Sequence, residues 1–289
     1  MRIENEGLKP CFSNRIKNKF NDGKVYISFF KIRFNCGIQY RAAALAGIIT
    51  QFTWGLMQIL LYRAFYISSP EAFPMGLAQL SSYFWLQQAF MNLFMTWFLD
   101  ADIIELITSG GIAYELCRPL DLYNMWYIKS LSSRFSKTAI RCIPILVVAS
   151  ILPKPYNLSM ITSLNLTVTF LISMVLGFGI VVAFSMLIYV ITFFTLSPMG
   201  IRIVALSLME FLSGGIIPIP FLPKSIQNIV ELLPFASMQN TPFRIYSGNI
   251  QGMEILFSIL LQVFWLTLLI ILGKYLMKRA VNNAVVQGG

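Results

Sequence analysis

TSLNLTVTFLISMVLGFGIVVAFSMLIYVITFFTL, residues 162–196, holds no charged side chain. A helix needs about 20 mostly apolar residues to cross the hydrocarbon core of a bilayer, so this run is longer than one crossing requires. It reads either as one tilted helix projecting beyond the bilayer or as a helix broken near Gly177 and Gly179. No charge and no proline-rich turn separates two halves, which favours one helix.

Outward from this run, residues 42–62 and 77–99 are also free of charge and long enough to span. A third span has its apolar part at 142–152 and borrows from 128–141, with Arg134, Lys137 and Arg141 expected to snorkel toward an interface. A fifth, 203–219, contains Glu210 and ends in Gly-Gly and prolines, and the sixth is 256–273. Composition agrees: 57% of the 289 residues are hydrophobic and 12% charged, about half the charge of an ordinary soluble domain.

Orientation follows from Lys and Arg. With the N-terminus inside, the inner segments hold nine up to Arg41, five from Arg118 to Arg141, Arg202, and three near the C-terminus. The outer segments hold four: Arg63, Lys154, Lys224 and Arg244. The reading is therefore an all-α polytopic membrane protein with six transmembrane helices and both termini cytoplasmic. Its parts are a cytoplasmic N-terminal segment at 1–41, a six-span domain at 42–279 and a tail at 280–289. The net charge of +10 faces anionic headgroups on the cytoplasmic side and is no sign of nucleic acid.

Residues 1–41 carry basic side chains throughout, without the apolar core and cleavage site of a signal peptide. Within them 25–41 mixes aromatic and basic residues, which suits an amphipathic interfacial helix; an extension of the first span is the alternative.

The longest cytoplasmic loop is 100–137. Asp100, Asp102 and Glu105 suit the first turns of a short helix, where carboxylates meet the positive dipole end. Gly110 and Gly111 permit a sharp turn, Glu115 follows, and Arg118-Pro119 gives a rigid exit. Such a loop offers a compact charged knob to a partner, or is a solvated connector. Residues 213–248 are too apolar for a free outer loop and too rich in proline for a continuous helix. Pro223 is placed to start a short helix at 224–233 that Pro234 ends, within a re-entrant segment packed against the spans.

Chemistry is sparse. The chain has no histidine, which removes the commonest general base and metal ligand. Cys11, Cys36, Cys117 and Cys142 form no CxxC pair. Neither Gly-Gly pair continues into a GxxxxGK[ST] loop, and no GxSxG or HExxH is present, so the chain is not expected to hydrolyse ATP by itself. Glu210 lies mid-span, where an ionisable group is a functional candidate; a hydrogen bond to Ser207 or Ser213 is the bland alternative. Gln88 and Asn92, four apart on one helix face, line a translocation path with Glu210 or bind helices together.

Two motifs carry a family resemblance. Residues 109–120, SGGIAYELCRPL, resemble the G-x-x-x-x-L-x-R-P-L loop of ABC-2 type permeases, the membrane subunits of bacterial ABC exporters. Ser213-Gly214-Gly215 through Pro218, Pro223, Pro234-Phe235 and Tyr246-Ser247-Gly248 resemble that family's outer segment before the last span. The resemblance implies a permease dimer, of one chain or two different ones, in the bacterial plasma membrane. It implies two cytoplasmic ATPase subunits that bind ATP and Mg²⁺, so that this chain holds no cofactor. It makes Asp100, Asp102, Glu105, Gly110, Gly111, Glu115, Arg118 and Pro119 the ATPase-coupling surface, together with the helix at 25–41. The basic N-terminal forty residues exceed what a minimal permease needs. Two other functions fit the residues: a secondary transporter working through Glu210, and a membrane anchor that moves no solute.

Overall fold

The computed structural model describes residues 19–38, 41–95, 99–160, 163–195 and 198–283. Among them the regular structure is helical: α1 (Lys19–Ile38), α2 (Arg41–Ser68), α3 (Leu77–Ala89), α4 (Met91–Phe94), α5 (Ala101–Thr108), α6 (Ile112–Leu116), α7 (Leu122–Ile151), α8 (Leu164–Thr192), α9 (Pro198–Leu212), α10 (Lys224–Leu232), α11 (Asn240–Ser247) and α12 (Met253–Asn283). Short 3₁₀ turns occupy Pro70–Ala72 and Ile219–Phe221. By length and apolar composition α8 and α12 each suffice to cross a membrane.

The opening stretch of the sequence is one helix, α8, with no break at Gly177 or Gly179. These glycines serve contact instead. A Cβ on Gly177 would sit 2.1 Å from the Met238 carbonyl oxygen, and one on Gly179 would sit 2.9 Å from Leu266. Their missing side chains let the chain just before α11, and α12, approach the α8 backbone closely. α8 is largely buried, whereas α12 is mostly exposed and turns Phe257, Leu260, Phe264 and Ile271 outward, each more than half exposed. α2 does the same with Ile49, Trp54, Phe65 and Ile67. An apolar surface of that extent suits lipid and not water.

Cross-contacts set the direction of each helix. Tyr62 packs on Phe84 with ring centroids 5.0 Å apart, and Gly55 lies under Trp85, so α2 and α3 are antiparallel. Trp85 Nε1 donates to the Tyr156 carbonyl beyond the end of α7 at 2.7 Å, while Arg134 on α7 reaches the Leu93 carbonyl; α3 is antiparallel to α7. Gln262 Nε2 donates to Ser173 O at 3.1 Å, and Leu266 meets Gly179, so α8 and α12 run the same way. Gly273 rests on Tyr123 at the start of α7. The end of α9 meets Tyr83, whose hydroxyl oxygen lies 3.5 Å from Gly214 O. The bundle thus has two ends. One gathers the start of α2, the α5–α6 hairpin and the last turns of α12. The other gathers the end of α9 with α10 and α11.

Three sequence expectations need correction. Residues 77–99 do not form one helix. α3 stops at Ala89, Phe90 takes φ −102° and ψ 12°, and α4 adds one turn. Arg134, expected to snorkel, is instead 1% exposed. Its guanidinium donates to Ser185 Oγ at 3.0 Å, to Leu93 O at 3.5 Å, to Ser130 Oγ at 3.4 Å, and to Met95 O. Carbonyls at a helix end lack intrahelical partners, and this cation meets them where α4 ends. The fifth helix also differs: α9 starts before residue 203 and ends at Leu212, with 15 residues, about 22 Å at 1.5 Å per residue. Gly214 then takes φ +79°, and Gly215 N donates back to Glu210 O at 3.0 Å.

The outer segment follows its prolines. α10 spans Lys224–Leu232, Pro223 is its N-cap, and Leu233 is extended before Pro234. α11 follows, closed by Gly248 at φ +73°. At the opposite end α1 lies along α7: Ser132 Oγ donates to Phe30 O at 2.9 Å, Phe30, Phe34 and Phe135 cluster, and Gly37 abuts Ser136. Whether α1 continues into α2 falls on residues 39–40, outside the described residues.

Candidate functional site

The candidate coupling surface is a helical hairpin made by short-range signals. Asp100 is the N-cap of α5, its carboxylate accepting from Asp102 N at 3.0 Å. Such a cap satisfies one of the donors a helix start leaves open. Ser109 closes the helix, its N and Oγ both donating to Glu105 O at 2.8 and 2.7 Å. Gly110 then turns the chain at φ +75°, a conformation an L side chain resists. Gly111 N donates to Ser109 Oγ at 3.4 Å, and α6 begins at Ile112. Asp121 caps α7 through Asn124 N at 2.9 Å.

Long-range contacts fasten the hairpin to the bundle. Ile103 and Ile112, at 0% and 3% exposure, enter a cluster with Trp126, Met186, Tyr189 and Met277. Lys129 Nζ lies 2.8 Å from Asp100 Oδ2 and 3.6 Å from Asp102 Oδ2. Asp100 N donates to Tyr189 Oη at 2.7 Å. α5 is thereby tied to α7 through Lys129 and to α8 through Tyr189. Glu115 pairs with Arg118 at 3.3 Å, and Arg118 also approaches Met125 Sδ. Tyr114, the residue before Glu115, is 81% exposed.

The expected coupling residues therefore fall into distinct groups. Asp100 and Asp102 meet on Lys129, Glu115 meets Arg118, Glu105 and Gly110-Gly111 shape the turn, and Pro119 lies exposed on the way to α7. Sequence reasoning missed Lys129 and Tyr189. Lys129 stands near the start of α7, among basic residues counted only for orientation, and Tyr189 inside an apolar run; neither carries a local signal.

The three candidate path residues have different surroundings. Gln88 Nε2 donates to Gln58 Oε1 at 3.0 Å and binds α3 to α2. Asn92 is 1% exposed, and its Nδ2 has no partner among the described residues. Glu210 is half-buried near Gly215. Ser213, offered as its partner, accepts instead from Gln239 Nε2 at 2.9 Å. A polar seam that the sequence did not single out joins the outer segment to the bundle. Tyr83 Oη donates to Asn240 Oδ1 at 3.2 Å, Gln87 Nε2 donates to Gly215 O, and Gln262 Nε2 donates to Ser173 O and Ser237 O. Among the described residues Gln87 Oε1, Gln262 Oε1 and Ser173 Oγ have no partners in this seam.

No curated protein and no solved structure matches the chain. A family model does, over residues 52–288, from within α2 through α12 and beyond, leaving α1 outside. Its description is ABC-2 family transporter protein, and the match covers most of the sequence. The resemblance read from SGGIAYELCRPL and the proline-rich outer segment is thus upheld, and the chain belongs to the ABC-2 family of transporter proteins.

Proposed function

We propose that this chain is the membrane-spanning permease subunit of an ATP-driven exporter in the bacterial plasma membrane, pairing with a second permease. Six helices or helix pairs cross the bilayer: α2, α3–α4, α7, α8, α9 and α12. The start of α2 and the end of α12 face the cytoplasm. Separate ATPase subunits bind ATP and Mg²⁺ and press on the α5–α6 hairpin. One observation carries this reading in a chain of this family: the hairpin is held on α7 by Lys129 and on α8 by Tyr189. A displacement there has two rigid helices to travel along. Substrate leaves along or through the interface with the second permease.

The test is co-purification followed by reconstitution. An ATPase subunit carrying a GxxxxGK[ST] loop is expected to co-purify with the chain, and vesicles containing both should move solute only with ATP. Arg118→Ala should lower the permease-stimulated part of ATP hydrolysis while leaving membrane insertion intact. Unchanged stimulation in that variant, together with no co-purifying ATPase, would overturn the proposal.

A further inference from the structure

A second site lies at the opposite end of the bundle. Between α10, α11 and the first half of α12 is a partly enclosed cavity of about 190 Å³, more than ten times the ~10–15 Å³ that one water needs. Its inner surface is polar and buried, with Asn240 at 1% and Thr241 at 8% exposure. Its wall carries both signs of charge. Arg244 Nη1 donates to Glu231 Oε1 at 2.5 Å, and their side chains are 13% and 33% exposed.

The pair is not saturated. Gln227 Nε2 donates to the same Glu231 Oε1 at 2.8 Å, and Arg244 Nε donates to Asn249 Oδ1 at 2.7 Å. Among the described residues no hydrogen bond engages Glu231 Oε2 or Arg244 Nη2. An acceptor and a charged donor therefore stand open on residues that line one cavity. The rim is of the opposite character. Leu232 and Phe257, which also line the cavity, are 54% and 59% exposed, and Leu260 continues the apolar strip along α12 at 59%.

A ligand that fits must carry an anion for Arg244, a cation for Glu231 and an apolar body for the rim. A purely anionic head would meet the Glu231 carboxylate, and a soluble zwitterion would leave the apolar rim uncovered. We infer that this cavity binds the head of a membrane amphiphile bearing both a phosphate and an ammonium group. Its phosphate lies on Arg244, which suits the planar donor fork, its ammonium on Glu231, and its acyl chains along Phe257 and Leu260. The inference rests on the proposed placement of α10 and α11 at the outer surface of the membrane.

The experiment uses the full chain, with whatever ATPase co-purifies, in proteoliposomes. The probes are phosphatidylethanolamine and phosphatidylglycerol, each carrying the same photoactivatable acyl chain. The ethanolamine probe is expected to label α12 about tenfold more than the glycerol probe, the scale of one charge-assisted hydrogen bond. Glu231→Gln should remove that preference. Because this variant also loses a structural ion pair, Ser258→Phe provides a second arm: it fills the cavity from α12, leaves the pair untouched and should lower labelling equally. Equal labelling by the two probes, or undiminished labelling in Ser258→Phe, would overturn the site. Asn228→Cys separates the underlying placement, since an impermeant maleimide should modify it from outside intact cells. Modification only after permeabilisation would overturn the placement and the site together. Modification from outside with equal lipid labelling would overturn the site alone.

Discussion

Lys129 Nζ lies between two carboxylates of the α5 start, 2.8 Å from Asp100 and 3.6 Å from Asp102, with only 12% of its side chain exposed. Exposed ion pairs contribute little, but Asp100 is only 21% exposed and also caps a helix. Removing the ammonium leaves a half-buried carboxylate without its cation. Lys129→Met is expected to loosen the hairpin by about 1–2 kcal/mol. Faster amide hydrogen exchange confined to residues 101–116 would show it; unchanged exchange there would count against the role of Lys129.

Arg134 is the second test of a buried cation. It serves the Leu93 and Met95 carbonyls and Ser185 at once. A lysine keeps the charge but not the planar fork, so it cannot reach all three. Arg134→Lys should lower stability by about 1–2 kcal/mol and Arg134→Ala by about 3 kcal/mol or more, read as the thermal midpoint of the detergent-solubilised protein. A lysine variant as stable as the parent would mean that charge alone suffices.

Gly177 sets helix propensity against space. Alanine is a better helix former than glycine by about 1 kcal/mol, which alone predicts a gain. The added Cβ would sit 2.1 Å from the Met238 backbone oxygen, and backbone cannot rotate away as a side chain can. Overpacking costs about 1–3 kcal/mol, so Gly177→Ala should lower the thermal midpoint. Gly23, on α1 with nothing within 4 Å of its Cβ position, is the control: Gly23→Ala should be neutral or stabilising.

Gln262 links three parts of the chain, donating to Ser173 O at 3.1 Å and Ser237 O at 2.8 Å from α12. Gln262→Leu leaves two buried carbonyls short of a donor but also removes its own unpartnered Oε1. The net loss should be about 1–3 kcal/mol. Limited proteolysis near residues 234–239 should accelerate, because Ser237 lies within that stretch. Unaltered cleavage would show that the seam holds without it.

What could be read in advance was local chemistry. Pro223 and Pro234 bracket α10 because proline acts on its own φ and its neighbour's. Asp100 caps α5 because its acceptor reaches two residues along the chain. Charge-free runs gave α8 and α12 because lipid excludes charge irrespective of packing. The end of α4 was hidden because the donor that serves it is Arg134, on a different helix. The same distance concealed Tyr189 beneath Asp100 and the close approach of Met238 that gives Gly177 its purpose. The proposed coupling residues were legible as a motif, whereas their division into separate ion pairs depends on Lys129, which the motif does not include. The cavity beside Arg244 was invisible for a further reason: α10, α11 and the first half of α12 enclose it together, and they meet only in the folded chain.

The seating of α1 on α7 bears on how force passes through the molecule. Gly37 abuts Ser136, and Ser132 bonds to Phe30, on the half of α7 that follows directly from α6. A piece of chain beyond the matched family span is therefore splinted to the same helix on which the α5–α6 hairpin is fastened. In the proposed exporter a tilt of that helix would carry the splint with it, and the lipid around α1 would become a mechanical load on the motion.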